Sequence, residues 1–566
     1  MDIIPVAPIS ENRLLNFKCI NVDYSVLALP MTGIRLYGVF DFQVLFGVVE
    51  INRYIYEGKK YNEKNFIHAS IPDYQLPLFV NIAGTVKDTD CNSFAVLTSR
   101  LRDLVDTSVE IASEILAMGS AIGVILLRHR MDYASSFIVQ QHSHNIFRLP
   151  KNLTAAWMAE RCFCVTSSLI ESAYAYSTQE CTIIRTIVER IYSERSTKQN
   201  GKSRLLLIGN KGVGKSTLMR FLVNTVLSMA SNKVFLLDCD VGQAELTPSG
   251  LISLCELSEP FFSAPFAIQK LTFDYSFFFG GNSPSVDFGL YIDLLPVNFR
   301  DIACNFKRQI HSGDSANTFY KQTSATLRSF LTAGYLASCL SKRPNATTSD
   351  ELRFADVRPY RVPFGTVALY FQHDLAPVAD SMVFAALNCA VVALCNIESI
   401  DEYFDRRRIR DDPTMPERIT VRRKSVQKNR NSAKETRQED PLRENILNEH
   451  RTTMMPILRC YGYGMIRAVD LEKRIFYVIT PVDTTMLNLA NVFAFGYELQ
   501  TPDILFDQRS VQSAPYFVTL AQTFSRNHEK LFSPLRNVSG MRRAPFAAER
   551  AANTMYRDAP QVKRWK

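Results

Sequence analysis

A glycine-rich run that ends in lysine and serine has the clearest chemistry in this sequence. Residues 209–216 read Gly-Asn-Lys-Gly-Val-Gly-Lys-Ser, the complete G-x-x-x-x-G-K-S pattern of a phosphate-binding loop. Glycines let the backbone wrap closely round a phosphate, so that N–H groups and a helix N-terminus face its negative charge. The predicted nucleotide contacts are Gly209, Asn210, Lys211, Gly212, Val213, Gly214, Lys215, Ser216 and Thr217.

Two carboxylates further along the chain fit the same chemistry. Lys215 would reach the β and γ phosphates of the nucleotide, and Ser216 would bind Mg²⁺. Asp238 and Asp240 follow the apolar run VFLL, where a P-loop protein needs an acidic partner for the metal or the nucleophile. We predict Ser216, Asp238 and Asp240 as metal ligands, with Asp240 orienting an attacking hydroxyl or accepting its proton. The alternative is a carboxylate pair that only caps a helix or closes a turn.

The apolar pattern around the loop predicts the elements that position it. RLLLIG at 204–209 indicates a buried strand, the run from 215 to 229 a helix, and KVFLLDCD at 233–240 a second strand. This order predicts an α/β fold with a parallel sheet, which continues to the buried-strand candidate at 387–396. The run DCDVGQAELTPSG is not the DxxG switch of the GTPases and no NKxD guanine reader is present, so ATP is favoured over GTP.

The flanking regions are predicted to be rich in strands. Alternation from Ile34 to Tyr56, around Gly38, Gly47 and Gly58, indicates short antiparallel strands, and residues 464–468 and 474–482 flank VDLEK as a hairpin. The predicted units are an N-terminal β-rich domain at 1–150, a helical linker at 151–200, a P-loop domain at 201–400, a charged linker at 401–455, a C-terminal β-rich domain at 456–535 and a basic tail at 536–566.

Composition narrows the class of protein. At 566 residues, with 46% hydrophobic and 21% charged residues, the chain is expected to form three or four globular domains. No signal peptide and no spanning run is recognisable, and 12 scattered cysteines without CxxC or CxxH spacing indicate reduced thiols. We therefore expect neither a secreted nor a membrane protein.

The net charge of +9 is unevenly placed along the chain, because basic residues crowd the stretch between 406 and 430. Such a basic run is typical of a solvated linker, a nuclear address or a contact with a phosphate backbone. Its members are Arg406, Arg407, Arg408, Arg410, Arg422, Arg423, Lys424, Lys428 and Arg430.

Several separated motifs resemble the nucleolar polynucleotide 5′-hydroxyl-kinase family, relatives of the kinase associated with pre-mRNA 3′-end cleavage. The glycine-rich motif at 209–217 is common to all P-loop proteins. The motif at 236–254, with its D-x-D-x-G-Q run and the T-P-x-G that follows, is far more specific. The motifs are GNKGVGKST at 209–217, LLDCDVGQAELTPSGLISL at 236–254, FFGGNSPS at 278–285, RPYRVPF at 358–364, LNCAVVALC at 387–395 and CYGYGMIRAVDLEKRIFYVITPV at 460–482.

The resemblance implies roles for individual residues. Lys215 and Ser216 would contact ATP and Mg²⁺, and Asp240 would be the catalytic carboxylate near the RNA 5′-hydroxyl, supported by Gln243. Arg328 lies where the family keeps a lid arginine that steadies the transferring phosphoryl group. Thr247, Pro248 and Gly250 would shape the RNA-facing loop.

The resemblance also implies a function and its setting. The expected activity is transfer of the γ-phosphate of ATP to 5′-hydroxyl RNA ends in pre-rRNA processing, beside a partner endoribonuclease, in the nucleus and nucleolus. A nucleoside kinase is a more distant alternative, and RNA and DNA are not distinguished by any recognisable reader of the 2′-hydroxyl.

One departure favours a different function. After the FFGGNSPS motif the family has a strand ending in N-T-x-G-W-V, whereas here no such text follows within the residues between Pro284 and Leu327. A similar text, LPLFVNIAGTVKD at 76–88, lies in the N-terminal region, and we interpret it as a chance likeness. The alternative function is an ATP-binding scaffold of an RNA-processing complex whose kinase chemistry has lapsed.

Overall fold

A computed structural model shows two sheets, each built from strands that are distant in the sequence. The residues that the structure describes are 16–19, 24–29, 33–57, 66–83, 92–102, 110, 112–113, 123–128, 130–141, 145–148, 157–159, 162–166, 182, 184–189, 205–208, 214–229, 233–269, 273, 275–286, 322–342, 347, 352–372, 383–397, 404–408, 413–421 and 457–496.

The N-terminal sheet has nine described strands around one long central strand. That strand, β3, pairs antiparallel with β4, β5, β7 and β9 and parallel with β6. The strands are β1 (Asn16–Cys19), β2 (Tyr24–Ala28), β3 (Ile34–Ile51), β4 (Tyr54–Glu57), β5 (Ile67–Ile71), β6 (Leu78–Ile82), β7 (Gly123–Arg128), β8 (Trp157–Ala159) and β9 (Cys162–Thr166).

Two expectations for this region are corrected. Ile34–Ile51 is a single strand rather than several, because Gly38 and Gly47, with φ of 98° and 86°, bend it without ending its pairing. Residues 157–166, which we assigned to a helical linker, contain β8 and β9. The backbone of β9 finds hydrogen-bond partners along residues 34–38 of β3, which local periodicity could not reveal. Further along, residues 184–189 are helical as expected.

The second sheet has eleven described strands, in the order β10-β11-β12-β18-β15-β20-β14-β17-β16, with β19 paired to β18 and β13 paired to β19. They are β10 (Val234–Asp238), β11 (Leu251–Leu257), β12 (Tyr275–Phe278), β13 (Tyr360–Pro363), β14 (Ala368–Phe371), β15 (Val391–Asn396), β16 (Phe404–Arg408), β17 (Glu417–Val421), β18 (Arg459–Asp470), β19 (Ile475–Ile479) and β20 (Val492–Phe495).

This sheet is mixed rather than parallel, which corrects the predicted α/β arrangement. Among the described strands of this second sheet only β14 pairs in parallel, with β17 and β20. Parallel neighbours need a crossover, usually a helix, whereas 239–250 joins β10 to β11 without one and the chain turns back antiparallel. Only a 3₁₀ turn, Pro265–Ala267, is described between β11 and β12.

The strand predicted before the P-loop is also corrected. Residues 205–208 are irregular, with Leu206 50% and Ile208 84% exposed. Only Leu207 of this run packs into a hydrophobic cluster, beside Phe79 and Phe221. The apolar composition of this segment alone could not show whether a neighbouring strand pairs with it.

The remaining strand predictions fit the second sheet. The expected strands at 233–240 and 387–396 and the hairpin around VDLEK are confirmed as β10, β15 and the β18–β19 pair. The proposed charged linker is corrected in part, since β16 and β17 lie inside it and pair with each other. Residues 422–456 and the predicted basic tail lie outside the described residues. The strands after residue 456 belong to the same sheet as the strands between residues 234 and 421. The domain limits remain predictions.

Helices cover parts of both sheets. The helix α3 (Lys215–Ser228) packs beside β4 and β10, and the helix α2 (Tyr133–Gln141) packs on α4 (Ser324–Ala337). No helix in the described part of the chain is long and apolar enough to cross a bilayer. The helices are α1 (Asn92–Arg102), α2 (Tyr133–Gln141), α3 (Lys215–Ser228), α4 (Ser324–Ala337), α5 (Val383–Leu387) and α6 (Thr484–Leu487).

Phe262 anchors the segment after β11 to the N-terminal sheet. Its ring lies 5.6 Å from that of Phe42 and 6.2 Å from that of Tyr56, in a cluster otherwise built from residues of the N-terminal sheet. Next to it, Ser263 Oγ accepts a hydrogen bond from the N–H of Ser70, 2.9 Å away. Aromatic rings packed in this way add to simple burial of apolar area. The two sheets are thus joined by packing and by hydrogen bonds.

A charged network lies at the same junction. His68 Nδ1 is 2.8 Å from Asp41 Oδ1, and His68 Nε2 is 2.9 Å from Asp132 Oδ2. Arg128 also pairs with Asp41. Burial alone would lower the pKa of His68, but the hydrogen bonds to Asp132 and Asp41 outweigh it and raise this pKa to about 9.

The network predicts a pH-dependent stability. Because the pKa of His68 is raised above its unfolded value of 6.5, its contribution is complete below about pH 6.5 and is lost as pH rises through about 9. We expect His68→Gln to lower the free energy of unfolding by about 1–3 kcal/mol at pH 6 and by much less at pH 10. Urea titrations of both proteins at the two pH values measure this. An equal loss at pH 6 and pH 10 would contradict the ion-pair interpretation.

Candidate active site

The end of the P-loop forms the start of a helix, as its sequence predicts. Gly214 is the N-cap of α3 and has φ of 88°, a left-handed conformation that favours glycine, and Lys215 and Ser216 are the first residues of the helix. Lys215 is half-buried and Ser216 is exposed. The predicted contacts Gly209–Val213 lie outside the described residues. The helix N-terminus with a lysine and a hydroxyl is suited to a phosphate group.

Asp238 ends β10 and organises the loop that follows. Its Oδ1 accepts a hydrogen bond from the N–H of Asp240 at 3.0 Å, and its Oδ2 accepts one from the N–H of Glu245 at 2.7 Å. The side chain is buried, and this burial raises the pKa of Asp238 to about 7 against the effect of both hydrogen bonds. Asp238 therefore has a structural function in the loop.

Asp240 and Gln243 are the exposed polar side chains of the loop. Asp240 Oδ1 accepts hydrogen bonds from the N–H of Gly242 at 3.0 Å and of Gln243 at 2.9 Å. This turn fixes the carboxylate, since two donors hold the same oxygen. An oriented, exposed carboxylate can accept a proton from a hydroxyl or bind a hydrated cation.

An ion pair that the sequence analysis missed fixes the loop against the P-loop helix. Arg220, in the second turn of α3, lies 2.6 Å through Nη2 and 3.0 Å through Nε from Glu245 Oε2. Arg220 Nη1 also donates to the carbonyl of Ser263 at 3.3 Å. The pair links the helix of Lys215 and Ser216 to the loop of Asp240. Sequence spacing carries no signal for it, because the partners belong to different elements.

The underside of the loop is packed closely. A Cβ on Gly242 would lie 2.6 Å from the carbonyl oxygen of Asn282, so the loop approaches the FFGGNSPS segment through a glycine. The hydroxyl of Tyr463 donates to the carbonyl of Ser249 at 2.7 Å. Thr247, Pro248 and Gly250 are buried in this packed underside. Their predicted function of shaping an RNA-facing loop remains a prediction.

Arg328 belongs to neither the P-loop helix nor the Asp240 loop. It is on α4, where Thr323 caps the helix by accepting from the N–H of Thr326 at 3.1 Å and Phe330 packs against Phe266. Its function as a lid arginine remains a prediction.

The donors available for Mg²⁺ are oxygens, which this ion prefers. The Ser216 hydroxyl and the Asp240 carboxylate are both exposed, and Mg²⁺ commonly binds through one or two carboxylates together with substrate phosphates. Asp238 fits the metal less well, since both of its oxygens already accept backbone hydrogen bonds. Within the described residues no cluster of three or more His, Cys, Asp and Glu residues could hold a metal by itself.

The chain is similar in sequence to known proteins. A family model described as mRNA cleavage and polyadenylation factor CLP1 P-loop matches residues 209–316. The polynucleotide 5′-hydroxyl-kinase nol-9 of Caenorhabditis elegans is 24% identical over 604 residues, covering 94% of this chain and 99% of the relative. The resemblance to this kinase family is confirmed. The P-loop NTPase class is supported for the matched part of the chain.

Other similar proteins match smaller shares of this chain. The nol-9 protein of Caenorhabditis briggsae is 28% identical over 414 residues, 62% of this chain and 68% of the relative. Human polynucleotide 5′-hydroxyl-kinase NOL9 is 22% identical over 436 residues, 60% of this chain and 55% of the relative. A solved Clp1p–Pcf11p complex aligns over 84% of this chain and 98% of that chain, with 11% identity and a TM-score of 0.42, too low to support an inference.

The buried carboxyl group of Asp238 predicts a second pH effect. Because its pKa is raised from 3.8 to about 7, its contribution to stability is complete below about pH 4 and is lost as pH rises through 7. We expect the wild type to lose stability relative to Asp238→Asn between pH 4 and 7, by up to about 1.4 kcal/mol per pH unit. Urea unfolding across this range measures it, with Asp356→Asn as control. Parallel pH profiles for wild type and Asp238→Asn would contradict the raised pKa.

The ion pair between α3 and the loop predicts a specific loss of stability. Arg220→Met leaves Glu245, whose side chain is 10% exposed, without its charged donor, so we expect a loss of about 1.5–3 kcal/mol. Arg185→Met is the matched control, since the pair Arg185–Glu189 is exposed and worth less than about 1 kcal/mol. Thermal and urea unfolding measure both variants. Equal effects of the two substitutions would disprove a positioning role for Arg220.

Proposed function

We propose that this chain is an ATP-dependent polynucleotide 5′-hydroxyl-kinase that transfers the γ-phosphate of ATP to 5′-hydroxyl ends of RNA. The relatives that it matches are named as kinases of this kind. The observation that carries the proposal is the exposed Asp240 carboxylate on a loop that Arg220 and Glu245 fix to the P-loop helix. This arrangement gives a phosphate-binding helix N-terminus and an oriented base on one support.

In the proposed reaction Lys215 and the N-terminus of α3 hold the phosphates of ATP. Asp240 accepts the proton of the 5′-hydroxyl while that oxygen attacks the γ-phosphorus, and the bond to the bridging oxygen of ADP breaks. Gln243, held beside Asp240, orients the hydroxyl, and Arg328 steadies the transferring group. Mg²⁺, bound at Ser216 and Asp240, would neutralise charge on the phosphates.

The biological setting is part of the same proposal. Pre-rRNA processing in the nucleus and nucleolus would supply the substrate, because a partner endoribonuclease would leave the 5′-hydroxyl ends. The names of the relatives support the kinase class and suggest the nucleolus through the names nol-9 and NOL9. The net charge of +9 is compatible with a polynucleotide substrate.

A second candidate function is an ATP-binding scaffold with lapsed chemistry. It is favoured by residues 205–208, which lead into the P-loop but are irregular and largely exposed. A P-loop is usually held by a buried strand on this side, and the sequence also lacks the N-T-x-G-W-V unit after Pro284. A scaffold would bind ATP without transferring its phosphate.

Transfer of labelled γ-phosphate from ATP to a 5′-hydroxyl oligoribonucleotide tests the two functions. We expect transfer by the wild type, and a loss of at least about 100-fold in Lys215→Ala and Asp240→Asn, because each removes a charge from the reacting centre. Lys473→Ala and Asp356→Asn are matched controls, since Lys473 pairs with Asp470 and Asp356 with Arg353, and neither pair includes a residue of the candidate site. Wild-type ATP binding without transfer to any 5′-hydroxyl RNA or DNA would establish the scaffold instead.

A further inference from the structure

One face of the second sheet carries exposed aromatic side chains beside the candidate active site. Phe235 on β10 is 52% exposed and Tyr275 on β12 is 55% exposed. Phe235 pairs with Glu256, and Leu254 pairs with Tyr275, so these side chains lie on the same face of the sheet. We call this surface, formed by Phe235, Leu254, Tyr275, Phe277 and Tyr461, the aromatic face.

The opposite face of the same strands is covered. Val234 and Leu236 of β10, with Cys255 and Leu257 of β11, pack into the large hydrophobic core that also receives Met219 of α3. The exposure of Phe235 and Tyr275 is therefore confined to one side. Together with the partly exposed Leu254 and Phe277 they form an apolar patch rather than single scattered residues, and such a patch is typical of a binding surface.

A cation lies over the aromatic face. The guanidinium carbon of Arg459 is 5.5 Å from the ring centre of Tyr275 and 5.6 Å from that of Tyr461. Glu256 is an acidic group on this face, and Lys233 Nζ lies 3.1 Å from its Oε1, which offsets the charge. Aromatic rings with an arginine suit nucleobases and phosphates, since bases stack on the rings and the guanidinium attracts the backbone.

The aromatic face leads to the proposed catalytic carboxylate. Val241, the residue after Asp240, packs on this side of the sheet in a cluster with Ile252 and Phe279, against Leu237 and Phe277. The Asp240 loop thus closes one end of the face, while Phe235 and Tyr275 remain open. These two residues are two strands apart, about 10 Å across the sheet. In other RNA-binding proteins, aromatic side chains on a sheet stack two or three bases.

We propose that the aromatic face binds single-stranded polynucleotide by base stacking and directs its 5′ end to Asp240. The direction towards Asp240 rests on the proposed kinase function, whereas the binding does not. Phe235 and Tyr275 provide the stacking surfaces, and Arg459 contacts the phosphate backbone. Stacking is tolerant of sequence because every base has a π-face. The face therefore selects single strands over duplexes, whose bases are already stacked.

Binding of a 3′-fluorescein-labelled 5′-hydroxyl oligoribonucleotide to the full chain, without ATP, tests the proposal by fluorescence anisotropy. We expect Phe235→Leu and Tyr275→Leu each to raise Kd at least about five-fold, the lower end of the effect of one stacked base. Tyr275→Phe should retain the wild-type Kd, because the ring remains. Ile55→Ala, which changes an exposed apolar residue of the N-terminal sheet, is the matched control.

Arg459 gives a separate measurement. If it contacts a phosphate, Arg459→Gln should weaken binding to all sequences and reduce the slope of log Kd against log salt concentration by about one. A duplex of the same sequence should bind more weakly than the single strand. An unchanged salt slope would disprove the phosphate contact by Arg459.

Kinetics separate this proposal from the kinase proposal. Lys215→Ala should abolish phosphate transfer without changing the Kd for RNA, whereas Tyr275→Leu should raise KM for RNA with little change in kcat. The proposal would be overturned if leucine substitutions at Phe235 and Tyr275 left the Kd for RNA unchanged. A shift from dimer to monomer in sedimentation of these variants, with RNA affinity unchanged, would assign the face to contacts between copies of the chain.

Discussion

Asp238 uses its buried carboxylate to hold the backbone N–H groups of Asp240 and Glu245, and this interaction shapes the loop on which the candidate site depends. With both oxygens engaged, the loop turns back over β10 and places Asp240 and Gln243 at the surface. Glu245, fixed by the same carboxylate, is then within reach of Arg220 on α3. A buried carboxyl group therefore determines the position of an exposed one.

The same loop connects three parts of the molecule. Arg220 joins it to the P-loop helix, and the hydroxyl of Tyr463 joins it to β18, a strand more than two hundred residues further along the chain. Through Ser263, which accepts from Ser70, the following segment reaches the N-terminal sheet. These contacts are polar and partly buried, so each is costly to break and specifies one arrangement.

Several features could be predicted from the sequence. The P-loop pattern, the following helix from Lys215, the apolar strand that ends at Asp238 and the hairpin around VDLEK depend on local residue order and on alternation, which short-range physics determines. The candidate carboxylates could also be named, because Asp238 follows an apolar run directly and Asp240 comes two residues later. The neighbouring residues in the sequence could not show that Asp238 is buried and Asp240 is exposed.

Only the tertiary structure decided how the strands pair and which side chains meet. The second sheet is mostly antiparallel, and in the N-terminal sheet β9 pairs with β3. Arg220 forms an ion pair with Glu245. Nothing in the local sequence pattern marks these partners. The same holds for residues 205–208, whose apolar composition suggested a buried strand, and for Phe235 and Tyr275, whose exposure creates the aromatic face. The physical reason is that periodicity records which side of an element is apolar, whereas burial depends on whether another element covers that side.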